Sequence, residues 1–231
     1  MISENIHTIQ EKIAKAADKA DRSPEDIRLV AVSKRFPVTA IQEAYAGGQT
    51  LFGENYIQEV QQKRPELPEQ VRFHFIGHLQ TNKAKIAAES CAVIETVDRL
   101  KLAIALSKHL EKIQKDMDIL VQVNIGEDPG KSGVSAGDAE NLLTELKSVP
   151  RIHVCGLMTM PPLEPDPELS RPYFKSLRLL AEELSGKGLF VNNNKMELSM
   201  GMSSDYHIAI EEGATIVRVG TAIFGDRPIR K

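Results

Sequence analysis

The chain has no tryptophan, two cysteines and few aromatic residues, 5% of its 231 positions. Two thiols exclude the disulfide framework that staples small secreted folds. Cys91 (in CAVIETV) and Cys155 (in IHVCGLM) form no CxxC pair, and no Cys/His cluster has zinc spacing. Both are expected as reduced thiols buried in strands. Charge of one sign is also missing: 29 Lys and Arg stand against 32 Asp and Glu, a formal −3. Basic residues form no run, so nothing selects nucleic acid or an anionic membrane as partner. No apolar run approaches the roughly 20 residues that span a bilayer. The first segment, MISENIHTIQEKIAKAADKA, is amphipathic, with Ile2, Ile6, Ile9 and Ile13 on one face. It lacks the apolar centre of a signal peptide, and its acidic residues argue against a transit peptide. A cytoplasmic protein is expected.

What remains is an ordinary globular composition, 42% hydrophobic and 26% charged, with a regular alternation along it. Short runs rich in Val and Ile predict strands at 27–33, 49–53, 71–76, 92–97, 118–125, 152–158, 195–200 and 215–220. Their continuous apolarity suits a parallel sheet buried on both faces. Between them, amphipathic stretches at 39–48, 99–114 and 168–186 predict helices, with Gly48, Gly186 and Gly213 placed as C-caps. Eight strands can close into a (β/α)8 TIM-like barrel, whereas an open doubly wound sheet would usually stop at five or six. Only TAIFGDRPIRK follows the eighth strand, too little for a full helix, so the N-terminal helix is expected to cover that seam. The Pro-rich 160–170 reads as a loop after strand six, and no linker divides residues 1–231, which predicts one domain.

In such a barrel the site lies at the C-terminal ends of the strands. Those ends supply Lys34, Glu54, Asn55, His78, Asp98, Asn124 and Met158, then Ser199 to Ser203 and Arg218 to Thr221. The set is polar for positions that directly follow apolar runs. Lys34 follows LVAVS, so its amine would project into the barrel mouth. An amine kept neutral by desolvation can condense with an aldehyde; the plain alternative is a strand-end lysine reaching solvent. SMGMSS follows strand seven and GTAIFG follows strand eight, where barrels often bind phosphate. Gly201 and Gly220 allow backbone amides close to an anion, and Ser199, Ser203 and Thr221 add hydroxyl donors. Together these features fit a ligand carrying both an aldehyde and a phosphate.

Arg218 sits between Val217 and Val219. A guanidinium there needs a partner, either a buried carboxylate such as Glu197 or an acceptor nitrogen on a ligand ring. His74 and His153 alternate with apolar residues and read as core or helix-facing positions. His78, at the end of strand three, reads as the better pocket candidate. Asn55 could bond a ligand oxygen or cap the following helix.

These residues resemble a known family, the YggS/PROSC-type pyridoxal phosphate homeostasis proteins, which are similar to the N-terminal barrel of alanine racemase. The resemblance runs over nearly the whole chain, through RSPEDIRLVAVSK, FGENYIQE, FHFIGHLQTNK, VNIGEDPGKSG, GLMTM, LSMGMSSD and VRVGTAIFG. It implies pyridoxal 5'-phosphate held on Lys34 as a Schiff base, and Asn55 and Met158, read from the strand ends, join the expected pocket. It further implies phosphate contacts from Ser199, Gly201, Gly220 and Thr221, which the Ser203 hydroxyl read from the loop joins, and Arg218 facing the pyridine nitrogen. The family commonly carries proline where His78 stands. Its members are associated with vitamin B6 and amino-acid homeostasis and have no established enzyme activity. The implied partners are the cofactor itself and pyridoxal-dependent apo-enzymes.

Two other functions compete: a pyridoxal-dependent racemase or lyase, and a Schiff-base aldolase using Lys34 without a cofactor. Racemisation needs an acid/base group on each face of the substrate carbon. Lys34 supplies one, but in the racemases the other is a tyrosine from a second domain of a partner subunit, and no such domain is expected here. Tyr45, Tyr56, Tyr173 and Tyr206 all fall in helical segments, Tyr56 and Tyr206 nearest the mouth. An arginine opposite the ring nitrogen would leave that nitrogen unprotonated and the ring a weaker electron sink. The sequence therefore predicts a binding protein with no catalytic residues, no metal and a monomeric state, because no long apolar surface helix stands out.

Overall fold

The computed structural model describes residues 1–162 and 164–226. Eight parallel strands close a barrel in sequence order: β1 (Arg28–Val32), β2 (Leu51–Glu54), β3 (Arg72–Phe75), β4 (Val93–Val97), β5 (Met117–Gln122), β6 (Ile152–Met158), β7 (Glu197–Ser199) and β8 (Ile216–Val219). Closure is made by β1 on β8, where Val30 lies beside Arg218. Around the barrel run α1 (Ile2–Lys19), α2 (Val38–Ala46), α3 (Ile57–Lys63), α4 (Ala84–Ser90) and α5 (Leu100–Ile113). They are followed by α6 (Ala139–Leu146), α7 (Arg171–Gly186), α8 (Tyr206–Glu211) and the single turn α9 (Thr221–Phe224). The architecture is the barrel expected from the strand count, with α1 as the additional helix.

α1 packs on α2, α8 and α9, which covers the seam between the first and last strands. Ile6, Ile9 and Ile13 are buried on its inner face and Ile2 is half-buried. Each such side chain stabilises the docking by roughly 1.5–3 kcal/mol. Asn5 donates to the Ile223 carbonyl at 2.8 Å, tying α1 to the turn after β8.

Strand alternation divides the core in two. Leu29, Ala31, Phe73, Phe75, Leu198, Val217 and Val219 face the helices in the larger apolar cluster. Inside the barrel a small apolar cluster of Val30, Leu120, Met158 and Ile216 remains. Gly53 belongs inside as well: a Cβ there would stand 2.9 Å from Val30 and 3.0 Å from Ile76. The interior is full at that level.

Three local expectations change. α7 runs through Gly186 and turns instead at Gly188, at φ +69°. Cys91 is buried but precedes β4, and Cys155, within β6, is only half-buried. Burial nevertheless pushes both thiols up to about 12, so neither is poised to react. His153 is neither core nor helix-facing but exposed near the base of the barrel, 3.8 Å from Asp118.

Candidate functional site

A cavity of about 380 Å³ opens at the C-terminal ends of the strands. Seven of the nine residues expected to bind a cofactor line it: Lys34, Asn55, Met158, Ser203, Arg218, Gly220 and Thr221. Val32, Phe36, Ile76, Met160, Met202 and Ser204 complete the wall. Lys34 reaches it because β1 ends at Val32 and the chain turns immediately after Ser33. Thr221 reaches it as the first residue of the single turn α9, whose Ile223 and Phe224 amides donate to the Gly220 carbonyl.

The two remaining residues do something else. Ser199 is fully buried on β7, and its hydroxyl donates to Glu95 Oε2 at 2.6 Å, so its one proton is already committed. Gly201, at φ +90°, lies against α8, where a Cβ would stand 2.6 Å from Ala209 Cβ. Its glycine is required by the turn and its close packing. His78 is exposed, outside the cavity wall, and shares a 3.2 Å hydrogen bond with Ser132. Asp98 pairs with Arg99, and Asn124 braces its own loop through the Asp128 carbonyl and amide. None of these three lines the cavity.

Arg218 is 3% exposed and faces both the cavity and a polar network inside the barrel. Its Nη1 donates to Ser199 Oγ at 2.5 Å and its Nη2 to the Thr159 carbonyl at 2.8 Å. The carboxylate nearby is Glu95, at 4.0 Å, not Glu197, which instead pairs with Arg28 at 2.7 Å. His74 Nδ1 meets the other oxygen of Glu95 at 2.6 Å. Burial works against the charge of Arg218 and lowers its pKa, opposed by Glu95 and Asp205. Burial would likewise raise Glu95, but the hydrogen bond and charge of His74, with Arg218 and Ser199, hold it below the ordinary carboxylate value. The network is a buried cation and anion joined through a shared hydroxyl.

A second polar cluster lies behind Lys34. Lys63, on α3, donates to Glu54 at 2.7 Å and Glu59 at 2.8 Å. Burial raises the pKa of Glu54, with Lys63 and Ser33 opposing it. Nothing flagged Lys63 or Glu59 in the sequence, because α3 reads as an ordinary polar helix. Glu95 and His74 left a signal: the runs RFHF, VIETV, ELSM and IVRV each carry a polar residue at an alternate strand position. Facing inward, all four meet.

Asn55 does not cap α3, whose N-cap is Tyr56 without a side-chain bond. Its Oδ1 is buried with no hydrogen-bond partner among the described residues. A buried orphan acceptor on a cavity wall is suited to a polar group supplied by a bound molecule.

The family model for "Alanine racemase, N-terminal domain" matches residues 5–228. The chain belongs to that family. Among the relatives of this family member is the pyridoxal phosphate homeostasis protein of Aquifex aeolicus (strain VF5), 40% identical over 97% of each chain. That of Escherichia coli (strain K12) is 38% identical over 100% of this chain and 98% of its own. PipY of Synechococcus elongatus PCC7942, solved with PLP bound, superposes with a TM-score of 0.84 at 34% identity, over 97% of this chain and 100% of PipY.

Proposed function

We propose that this chain holds pyridoxal 5'-phosphate at the barrel mouth, with Lys34 as covalent anchor, and serves vitamin B6 homeostasis through binding and release instead of turnover. The observation that carries the reading is that Lys34, Arg218 and Thr221 share one cavity of about 380 Å³. That volume lies at the small end of ligand pockets, which suits one phosphorylated ring. The names of the relatives, and PLP in the PipY structure, support the same ligand.

When bound, the cofactor supplies an aldehyde that condenses with an amine, the two amine protons leaving with the carbonyl oxygen as water. Lys34 provides that amine. Ser203, Gly220 and Thr221 stand where the phosphate would be held, Met158 and Ile76 give apolar surface for the ring, and Arg218 offers a donor to the ring nitrogen. Ser199 contributes through Arg218 and not at the phosphate.

The composition of the wall supports binding over turnover. Among the described residues that line the cavity, Lys34 and Arg218 are the only titratable groups; no tyrosine, histidine or carboxylate is there. Tyr206 is buried at the start of α8 and Tyr56 is exposed, both off the wall. Among the described residues of the wall, Lys34 can move a proton on one face, and Arg218, whose guanidinium already holds its proton, is no acceptor for it on the other. A monomeric, cytoplasmic protein that exchanges cofactor with pyridoxal-dependent apo-enzymes completes the proposal. No helix among the described residues is long and apolar enough to cross a membrane.

The test is borohydride reduction of the loaded protein followed by peptide mapping. The adduct is expected on Lys34 and is expected to vanish in Lys34→Ala. An adduct chiefly on Lys83 or Lys131 would overturn the assignment, and amino-acid turnover that disappears in Lys34→Ala would establish an enzyme.

A further inference from the structure

We propose that Glu54, Lys63 and Glu59 act as positioning residues for Lys34, fixing the backbone on both sides of it so that its amine meets a carbonyl in the cavity at one defined angle. The inference rests on the reading of Lys34 as the condensing residue. What carries it is where the hydrogen bonds of the cluster land.

Two residues flank Lys34, and each is bonded to the ion cluster. The Ser33 hydroxyl donates to Glu54 Oε1 at 2.8 Å. The Ser33 carbonyl accepts from Lys63 Nζ at 3.1 Å. The Arg35 amide donates to Glu59 Oε2 at 2.8 Å. Lys63 bridges the two carboxylates, so the three anchors share one ammonium. Arg35 holds a left-handed backbone, φ +66°, which a residue with a Cβ adopts only when its surroundings enforce it. The turn's own bond, from the Phe36 amide to the Ser33 carbonyl at 3.1 Å, and the bond from the Arg35 amide to Glu59 hold it together.

The cluster is costly in any purely structural role. Glu54 is fully buried and Lys63 is 8% exposed. Apolar side chains of similar volume would join α3 to β2 as well, without desolvating three charges. Apolar side chains could not, however, bond a hydroxyl, a carbonyl and an amide on either side of a single lysine. Misplacing a reacting group by about 1 Å costs on the order of a hundredfold in rate, so the cluster acts where precision matters.

The test compares condensation with simple binding in the full chain. Pyridoxal 5'-phosphate gives the rate at which borohydride-trappable adduct accumulates on Lys34. Pyridoxine 5'-phosphate carries the same ring and phosphate but an alcohol in place of the aldehyde, so it reports binding alone. Lys63→Met is expected to slow adduct formation by on the order of tenfold with the affinity for pyridoxine 5'-phosphate unchanged. Lys63→Arg, which keeps the charge and donors, is expected to recover part of the rate. An unchanged adduct rate overturns the proposal. So does a parallel fall in both readouts, which marks a general loss of structure. If Lys63→Met does not fold, Glu59→Gln carries the same expectation in smaller measure, since it leaves the Glu54–Lys63 pair intact. The underlying reading fails separately, when the wild-type adduct lies on another lysine.

Discussion

The base of the barrel carries its charges in pairs that face solvent: Arg28 with Glu197, Arg151 with Asp116 and Lys195 with Asp26. In each, at least one side chain keeps 40% or more of its surface exposed. Toward the mouth the same residue types are buried. Glu95 and Glu54 are fully enclosed, and Arg218 and Lys63 nearly so. An exposed pair contributes about 0–1 kcal/mol, because water screens the attraction and side-chain entropy opposes it. A buried group left without its partner costs about 3–5 kcal/mol. The two ends therefore use charge differently: the base tolerates it, and the mouth depends on its arrangement. In a barrel of this kind the site belongs at the end where charge is buried in networks.

The largest test of this contrast is Glu95→Gln. Removing the charge leaves Arg218 and His74 buried without their carboxylate, and urea unfolding near neutral pH is expected to show a loss of about 3–5 kcal/mol. The pH dependence has a definite sign. A carboxyl depressed in the fold stabilises above its unfolded pKa, near 4.3, and that contribution is lost as pH falls through the lower folded value. The advantage of wild type over Glu95→Gln is thus full at neutral pH and shrinks below about pH 4. An advantage that grows on acidification would contradict the network as described.

Thr221→Ala is expected to have a smaller effect, confined to the ligand. One hydrogen bond to a charged acceptor is worth about 1.5–3 kcal/mol, so pyridoxal 5'-phosphate should bind about tenfold or more weakly. Unphosphorylated pyridoxal should be unaffected, and equal losses for both ligands would remove Thr221 from the phosphate site. The smallest effect is expected at the base. Arg28→Ala and Arg151→Ala should each cost under about 1 kcal/mol in urea unfolding and leave cofactor affinity unchanged. If either costs as much as Glu95→Gln, the distinction between the two ends fails.

Much of this was legible in the residues. Strand runs rich in Val and Ile, separated by amphipathic stretches, predicted eight strands close to where they fall, β6 to the residue. Lys34, Arg218 and Thr221 announced themselves as polar residues at or after apolar runs, and the cavity takes in all three. Errors arose where a residue's partner lies far along the chain. Ser199 read as a phosphate donor because its loop had the right composition, yet Glu95, 104 positions away, takes its proton. Glu197 stood as one example of a buried carboxylate for Arg218, beside a ligand nitrogen, but β7 turns it toward Arg28 near the base and Glu95 takes that place. His78 lies at a strand end, like Lys34, yet stays exposed beside Ser132.

By itself, then, the sequence determined the alternation of strands and helices, the strand count that closes a barrel, and the set of polar residues gathered at one end. Those follow from local periodicity, which needs no knowledge of distant contacts. Only the tertiary structure decided which polar residues face the cavity and which are spent on one another. Barrel closure brings β3, β4, β7 and β8 to a common interior, so His74, Glu95, Ser199 and Arg218 satisfy each other there. The choice of hydrogen-bond partner in a buried space depends on which groups are within about 3 Å, and chain folding alone sets that distance.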